Sequence, residues 1–191
     1  MESQDAAAVA QVRAGDREAF RPLVERYSHM VFGQAYRMTG NESDAEEIVQ
    51  ETFLRAFRGL ASFEDRSNFG TWLFRIATNC SLDLLARRKS QPQPAIVNEE
   101  EEDSPEDRLA SESPSPERLL YSRELQGRIR EAMDGLTPVE RAAFVLRHFE
   151  GRSIEEIAAA LHVRAGAAKQ SIFRAVQKMR ESLQPAVRSV R

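Results

Sequence analysis

Apolar residues in this chain recur at three- and four-residue steps, without the two-residue alternation of a half-buried strand. One stripe runs through Ala19, Phe20, Leu23, Val24, Tyr27, Val31 and Ala35 to about Met38, and Thr39-Gly40-Asn41 breaks it. Asp16 is placed to cap that helix, although Pro22 in its early turns shifts the start. Ser43 and Glu46 form a capping box for a second helix with Ala45, Ile48, Val49, Thr52, Phe53, Ala56 and Phe57 inward. Phe63 to Gly70 reads as a loop. From Thr71 a third helix places Leu73, Ile76, Ala77, Cys80 and Leu84 on one face, with Arg75 and Asn79 beside Trp72 on roughly the other, and ends in Arg87-Arg88-Lys89. Residues 1–13 are expected to be a frayed or short helical lead-in.

The far end of the chain repeats the pattern in shorter units. Arg118 to Met133 predicts a helix ended by Asp134-Gly135. Thr137-Pro138-x-Glu140 and Ser153-x-x-Glu156 are two further capping boxes, the first with Pro at the opening helical position. A turn at His162-Val163-Arg164 leads to a last helix from about Ala165 to Leu183. This is helix-turn-helix spacing, with Ala158 small at a close crossing, Leu161 and Val163 flanking the turn, and Ala168 and Ile172 inward. Lys169, Gln170, Phe173, Arg174, Gln177 and Lys178 lie outward, and side chains of this kind suit major-groove edges and phosphates.

Between these parts, residues 91–118 hold five of the chain's eight prolines, an acidic block and almost no apolar residues. They read as a flexible tether, with Ile96 and Val97 able to dock and Glu99 to Asp107 resembling a nucleic-acid backbone in charge. The expected fold is therefore all-α: two small helical domains, residues 1–90 and 119–191, joined by an acidic linker.

Composition changes this picture in one respect. The net charge of −3 conceals −1 over residues 1–90, −7 over 91–118 and +5 over 119–191. A basic C-terminal third strengthens the DNA-binding reading of the last helix. No run of eighteen apolar residues exists and the N-terminus lacks a signal-peptide pattern, so membrane insertion and secretion are not expected. The single Cys80 excludes an internal disulfide and suits a reducing, cytoplasmic location. His29 stands alone, no histidine pairs with Cys80 at ligand spacing, and no glycine-rich phosphate loop occurs. No metal, cofactor or enzymatic activity is expected.

Residues 63–89 carry two readings. Trp72 and its neighbouring aromatics pack inward as ordinary core, or they join Arg75 and Asn79 in a cationic face that holds unstacked bases. Likewise, the acidic face of Asp44, Glu47, Gln50 and Glu51 is either solvated or an interface.

DAEEIVQETFLRAF at 44–57, FGTWLFRIATN at 69–79, LTPVERAAFVLRHFEGRSIEEIAAALHV at 136–163 and KQSIFRA at 169–175 together resemble a sigma factor of the sigma-70 family, of the two-domain extracytoplasmic function (ECF) type. The resemblance implies a sigma domain 2 over residues 1–90, which binds core RNA polymerase through its β and β′ subunits and opens the −10 element. It implies a sigma domain 4 over residues 119–191, which grips the −35 duplex. Carried over by position, Asp44, Glu47, Gln50, Glu51 and Phe53 meet the polymerase. Asp65, Arg66, Asn68, Trp72, Arg75 and Asn79 serve the −10 element. Arg164, Lys169, Gln170, Ser171, Phe173, Arg174 and Lys178 serve the −35 element. The remaining partners implied are promoter DNA and an anti-sigma factor.

Two departures from the family pattern stand out. Glu47 replaces the commoner Asp, and the recognition helix opens Arg164-Ala165-Gly166-Ala167-Ala168-Lys169-Gln170-Ser171 where P-x-G-T-V-[KR]-S-R is usual. The competing readings are a stand-alone helix-turn-helix regulator, which binds duplex DNA without polymerase, and an interaction protein that never touches DNA.

Overall fold

The computed structural model describes residues 2–63, 68–90 and 116–188, with side chains for 4–63, 68–89 and 125–183. The acidic tether expected over 91–118 lies outside the described residues as far as 115. The helices are α1 (Glu2–Arg13), α2 (Arg21–Thr39), α3 (Glu42–Gly59), α4 (Phe69–Ser90), α5 (Pro116–Asp134), α6 (Pro138–His148), α7 (Ile154–Ala160) and α8 (Ala165–Arg188). Single 3-10 turns precede α2 and follow α3. The all-α expectation holds.

Local chemistry explains most boundaries, corrects two expectations, and decides residues 1–13 in favour of a helical lead-in. Asp16 accepts from the Glu18 amide, so it caps the 3-10 turn Arg17–Phe20, and α2 begins only at Arg21 with Pro22 in its first turn. At its other end Gly40 adopts φ +68°, the left-handed cap that glycine takes without a Cβ penalty, and its amide donates to Tyr36 O at 2.7 Å. The cap of α3 is Asn41, not Ser43: Asn41 is extended and its side chain accepts from the Asp44 amide at 2.9 Å. Nor is α1 frayed, because Val9 is buried and the buried Asp5 accepts from Tyr27 Oη at 2.6 Å and pairs with Arg26. Both capping boxes of the C-terminal part form as expected.

Helices α1 to α4 enclose one core, built on Leu23, Tyr27, Val31, Phe53, Leu60, Phe69, Leu73 and Ala77, with a smaller cluster around Ile48, Cys80 and Leu84. On α4 the buried stripe is wider than the sequence pattern indicates. Thr78 and Ser81 are buried too, satisfied by donating to Phe74 O and Ala77 O one turn back. The second core unites α5 to α8 through Met133, Leu136, Val145, Ile157, Leu161, Ala168 and Met179. Ala158, Leu161 and Ala168 are buried and Ile172 and Val163 pack against that core, as helix-turn-helix spacing requires. His162 turns the corner at φ +54°, a left-handed conformation that histidine adopts more readily than branched residues.

The two bodies touch. Met38, at the end of α2, is fully buried among side chains of the C-terminal core, and Leu82 packs beside it. The buried Arg141 donates to Met38 O at 3.1 Å, Met133 O at 3.0 Å and Asp134 at 2.5 Å. Arg37 pairs with Glu150 at 3.0 Å and lies over the Phe149 ring. Arg152 reaches Thr71 Oγ1 at 2.8 Å and stands over Phe74.

The capping boxes make acid stability predictable. Burial pushes the Glu140 carboxyl up, but hydrogen bonds from Lys178 and Thr137 outweigh it and hold it below the ordinary value of 4.5. The Ser153 amide holds Glu156 down in the same sense. A depressed carboxyl pKa contributes stability that is complete above the unfolded value and disappears as pH falls through the folded one. Urea midpoints should therefore fall on acidification below about pH 4.5, and a Glu140→Gln, Glu156→Gln double variant should show a flatter acid limb. Asp44, pushed up by burial, acts in the opposite direction, so Asp44→Asn should steepen that limb.

Candidate nucleic-acid and polymerase interfaces

An aromatic cluster organises the first face. Phe63, Phe69 and Trp72 stand 4.9 to 6.0 Å apart between ring centroids, and Tyr27 lies 5.5 Å from Phe69. Gly70 admits this packing, since a Cβ there would come within 2.9 Å of the Tyr27 ring. Asn68 starts α4 by accepting from the Gly70 amide at 2.7 Å while its carbonyl accepts from Trp72 N. Trp72 is half-buried: it joins the cluster and also lines a cleft of about 190 Å³ with Thr71, Arg75 and, from α7, Glu156 and Ala159. Trp72 thus packs partly as ordinary core and leaves part of its surface open to the cleft. Asn68 and Arg75 are exposed and Asn79 is half-buried. Asp65 and Arg66 fall outside the described residues.

On α3, Glu47 and Gln50 are exposed and Glu51 is half-exposed along one line. Glu47 pairs with Arg87 at 3.3 Å and Glu51 with Arg55 at 2.6 Å. Such solvent-facing pairs contribute little and exchange readily for a basic partner. Two of the five polymerase candidates do not share that surface. Phe53 is 7% exposed, its ring edge-on to Phe20 in the core, so the inward position given by periodicity prevails over the outward role implied by the resemblance. Asp44 is 5% exposed and paired with Arg88, because its place one turn into α3 turns it toward the end of α4.

The third face is the first half of α8. Arg164, Lys169, Gln170 and Arg174 are exposed, Ser171 is half-buried, and Phe173 is 69% exposed. Ala168, Ile172 and Ala175 seat the helix on the α5 to α8 core. Lys178 departs from this group. Its Nζ donates to Glu140 at 2.7 Å, tying α8 to the capping box of α6.

Other chemistry is sparse. Burial pushes the Cys80 thiol up, which disfavours a reactive thiolate. Among the described residues no group of three His, Cys, Asp or Glu side chains is placed to hold a metal ion, and no helix is long and apolar enough to cross a membrane. Sequence reasoning missed Arg13, Arg141 and Arg152, whose partners lie far off in the chain; Arg13 alone donates to Leu60 O and Phe63 O.

The family description Sigma-70 region 2 matches residues 23–91, and Sigma-70, region 4 matches residues 126–179. The chain is similar to the RNA polymerase sigma-H factor of Pseudomonas aeruginosa, with 34% identity over 188 residues covering 98% of this chain and 97% of that one. It is similar to the ECF RNA polymerase sigma-E factor of Escherichia coli (strain K12), 36% identical with 96% of each covered. Its fold is similar to CnrH, solved in complex with the cytosolic domain of CnrY, with a TM-score of 0.63 and 28% identity over 95% of this chain and 98% of that one. That complex corrects the expectation of a location in the cytoplasm alone, since CnrH is held there by a domain that is only part of its partner. The chain belongs to the sigma-70 family of RNA polymerase sigma factors, in its ECF subfamily.

Proposed function

We propose a division of roles among the three faces. Glu47, Gln50 and Glu51 dock on core RNA polymerase, Trp72 with Arg75, Asn79 and Asn68 opens and reads the −10 element, and the start of α8 grips the −35 duplex. The parts fall into a domain 2 over residues 1–90 and a domain 4 over 119–191. As an ECF sigma factor the chain binds core polymerase, directs initiation at promoters with −35 and −10 elements, and is not an enzyme.

The observation that carries the reading is the half-open indole of Trp72. It packs at tilted angles against Phe63 and Phe69 and also lines the cleft beside the exposed Arg75. An aromatic so held can replace the stacking partner of an extruded base, and the amide of Asn79 can read its edge. On α8, a phenylalanine 69% exposed among Lys169, Gln170 and Arg174 supplies an apolar contact for a thymine methyl while the cations meet phosphates. Leaving such a ring in water is otherwise unfavourable.

An anti-sigma partner fits a second feature. A cleft of about 680 Å³ runs between the two bodies, lined by Met30, Phe32, Ile129, Phe149, Met179 and Leu183 among others. Met30, Ile129 and Phe149 there are exposed apolar side chains. An apolar helix face laid across both bodies would cover them, and by analogy with CnrH the anti-sigma factor holds the chain on the cytosolic side, near the membrane face.

The central test is run-off transcription with purified core polymerase from a cognate promoter, which a stand-alone regulator would not support. Glu51→Lys should lower affinity for core about tenfold or more by setting a cation on the docking face; unchanged holoenzyme assembly in a fluorescence titration would remove Glu51 from that role. Lys169→Ala and Lys178→Ala should separate cleanly. In holoenzyme, the first weakens −35 binding and lowers its logarithmic salt slope by about 0.9. The second leaves that slope alone and costs about 1 kcal/mol of stability, a modest figure because Lys178 is partly solvated. Equal salt slopes for the two variants would contradict the assignment.

A further inference from the structure

The helix α1 precedes the residues matched as region 2, which begin at 23, yet both of its ends bear on the aromatic cluster. Near its start, Asp5 holds Tyr27, whose ring packs on Phe69 and against Gly70. In its last turn, Arg13 reaches about fifty residues along the chain. Its Nε donates to Leu60 O at 3.2 Å, an Nη donates to Phe63 O, and the guanidinium lies 5.8 Å from the Phe63 ring centroid. Phe63 in turn packs on Trp72 at 4.9 Å. A planar guanidinium with two donors in fixed relation sets both carbonyls at once, which a single ammonium cannot do.

We propose that Arg13 is a positioning residue for promoter opening: by pinning Leu60 and Phe63 from α1, it fixes the ring against which Trp72 packs. The inference rests on the reading of the Trp72 face as the strand-opening surface. Arg13 does not touch DNA in this account. It acts by keeping Trp72 in the orientation that receives an extruded base, so that little ordering remains to be done when the strands part.

A merely structural arginine would lower stability and weaken every function together, whereas a positioning residue affects opening selectively. The test uses holoenzyme reconstituted from full-length chain and core polymerase, with 2-aminopurine fluorescence in the −10 element reporting opening. Arg13→Ala should slow opening about tenfold, the size expected for losing one or two charge-assisted hydrogen bonds. Core affinity and −35 binding should stay within about twofold, and a promoter melted in advance over the −10 element should restore most of the loss. Arg13→Lys should fall between, since it keeps the charge and loses the fork. Trp72→Ala run in parallel should slow opening as well, and the Arg13→Ala, Trp72→Ala double variant should be no slower than Trp72→Ala alone.

If Trp72→Ala is impaired while Arg13→Ala opens the promoter at the wild-type rate, the positioning role is wrong and the reading of the face survives. A loss in Arg13→Ala that is shared by core binding and by the melted template assigns Arg13 to stability alone. Normal opening by Trp72→Ala would remove the strand-opening role of the face, and with it the role of Arg13.

Discussion

Arg141 is the buried polar tie among the contacts that join the two helical bodies. Its guanidinium is buried, and a buried cation persists only where its donors are matched. Here they are matched by carbonyls at two helix ends, Met133 in α5 and Met38 in α2, and by Asp134. Helix-end carbonyls lack partners within their own helix, so one side chain relieves two deficits and its own desolvation at once. The placement of the helix-turn-helix follows, because Arg141 lies on α6, which carries the packing surface for α8.

The same economy recurs at the proposed promoter-opening face, where long side chains pin backbone that belongs to other elements. Arg13 meets the carbonyls of Leu60 and Phe63, and Asp5 meets Tyr27. The aromatic cluster between them is hydrophobic core on one side and a candidate base platform on the other. That dual use requires rigidity, since an indole half in water would otherwise sample other rotamers. Close packing of Phe63, Phe69 and the glycine-admitted Tyr27 supplies it.

What was legible in the sequence was whatever depends on neighbours within a few positions. The boxes Thr137 to Glu140 and Ser153 to Glu156 close over three residues and formed as written. The cap of α3 misled because Asn41 and Ser43 both satisfy the capping preference, and only the extended backbone at Asn41 distinguishes them. Phe53 shows periodicity outweighing a positional carry-over: the three- and four-residue rhythm placed it inward, where it lies. Helix α1 was underestimated because its alanine-rich stripe offers little beyond Val9. Its anchors, Tyr27, Leu60 and Phe63, sit in other elements. Lys178 looked like another outward cation, and only the fold brings Glu140 beneath it.

The junction between the bodies bears directly on promoter recognition. The −35 and −10 elements are separated by roughly 25 base pairs, about 85 Å of B-form duplex at 3.4 Å per step. In this arrangement, however, the helix-turn-helix body touches the start of α4, with Arg152 only 2.8 Å from Thr71. On the proposed assignment, the two faces cannot serve both elements of one promoter while that contact stands, so reading a promoter would require the bodies to part. What must be broken includes Arg37 with Glu150, Arg130 with Tyr36, Arg152 with Thr71, Arg141 with Met38, and the burial of Met38. At about 1 kcal/mol for each of these four polar contacts and about 2 for the methionine, the cost is on the order of 6 kcal/mol. An association at nanomolar Kd is worth about 12 kcal/mol, so a partner that bound the parted bodies that tightly would open the molecule. By the same arithmetic, a ligand that binds only the closed form needs a few kcal/mol of preference to keep it shut, and the apolar cleft spanning both bodies exists only in that form.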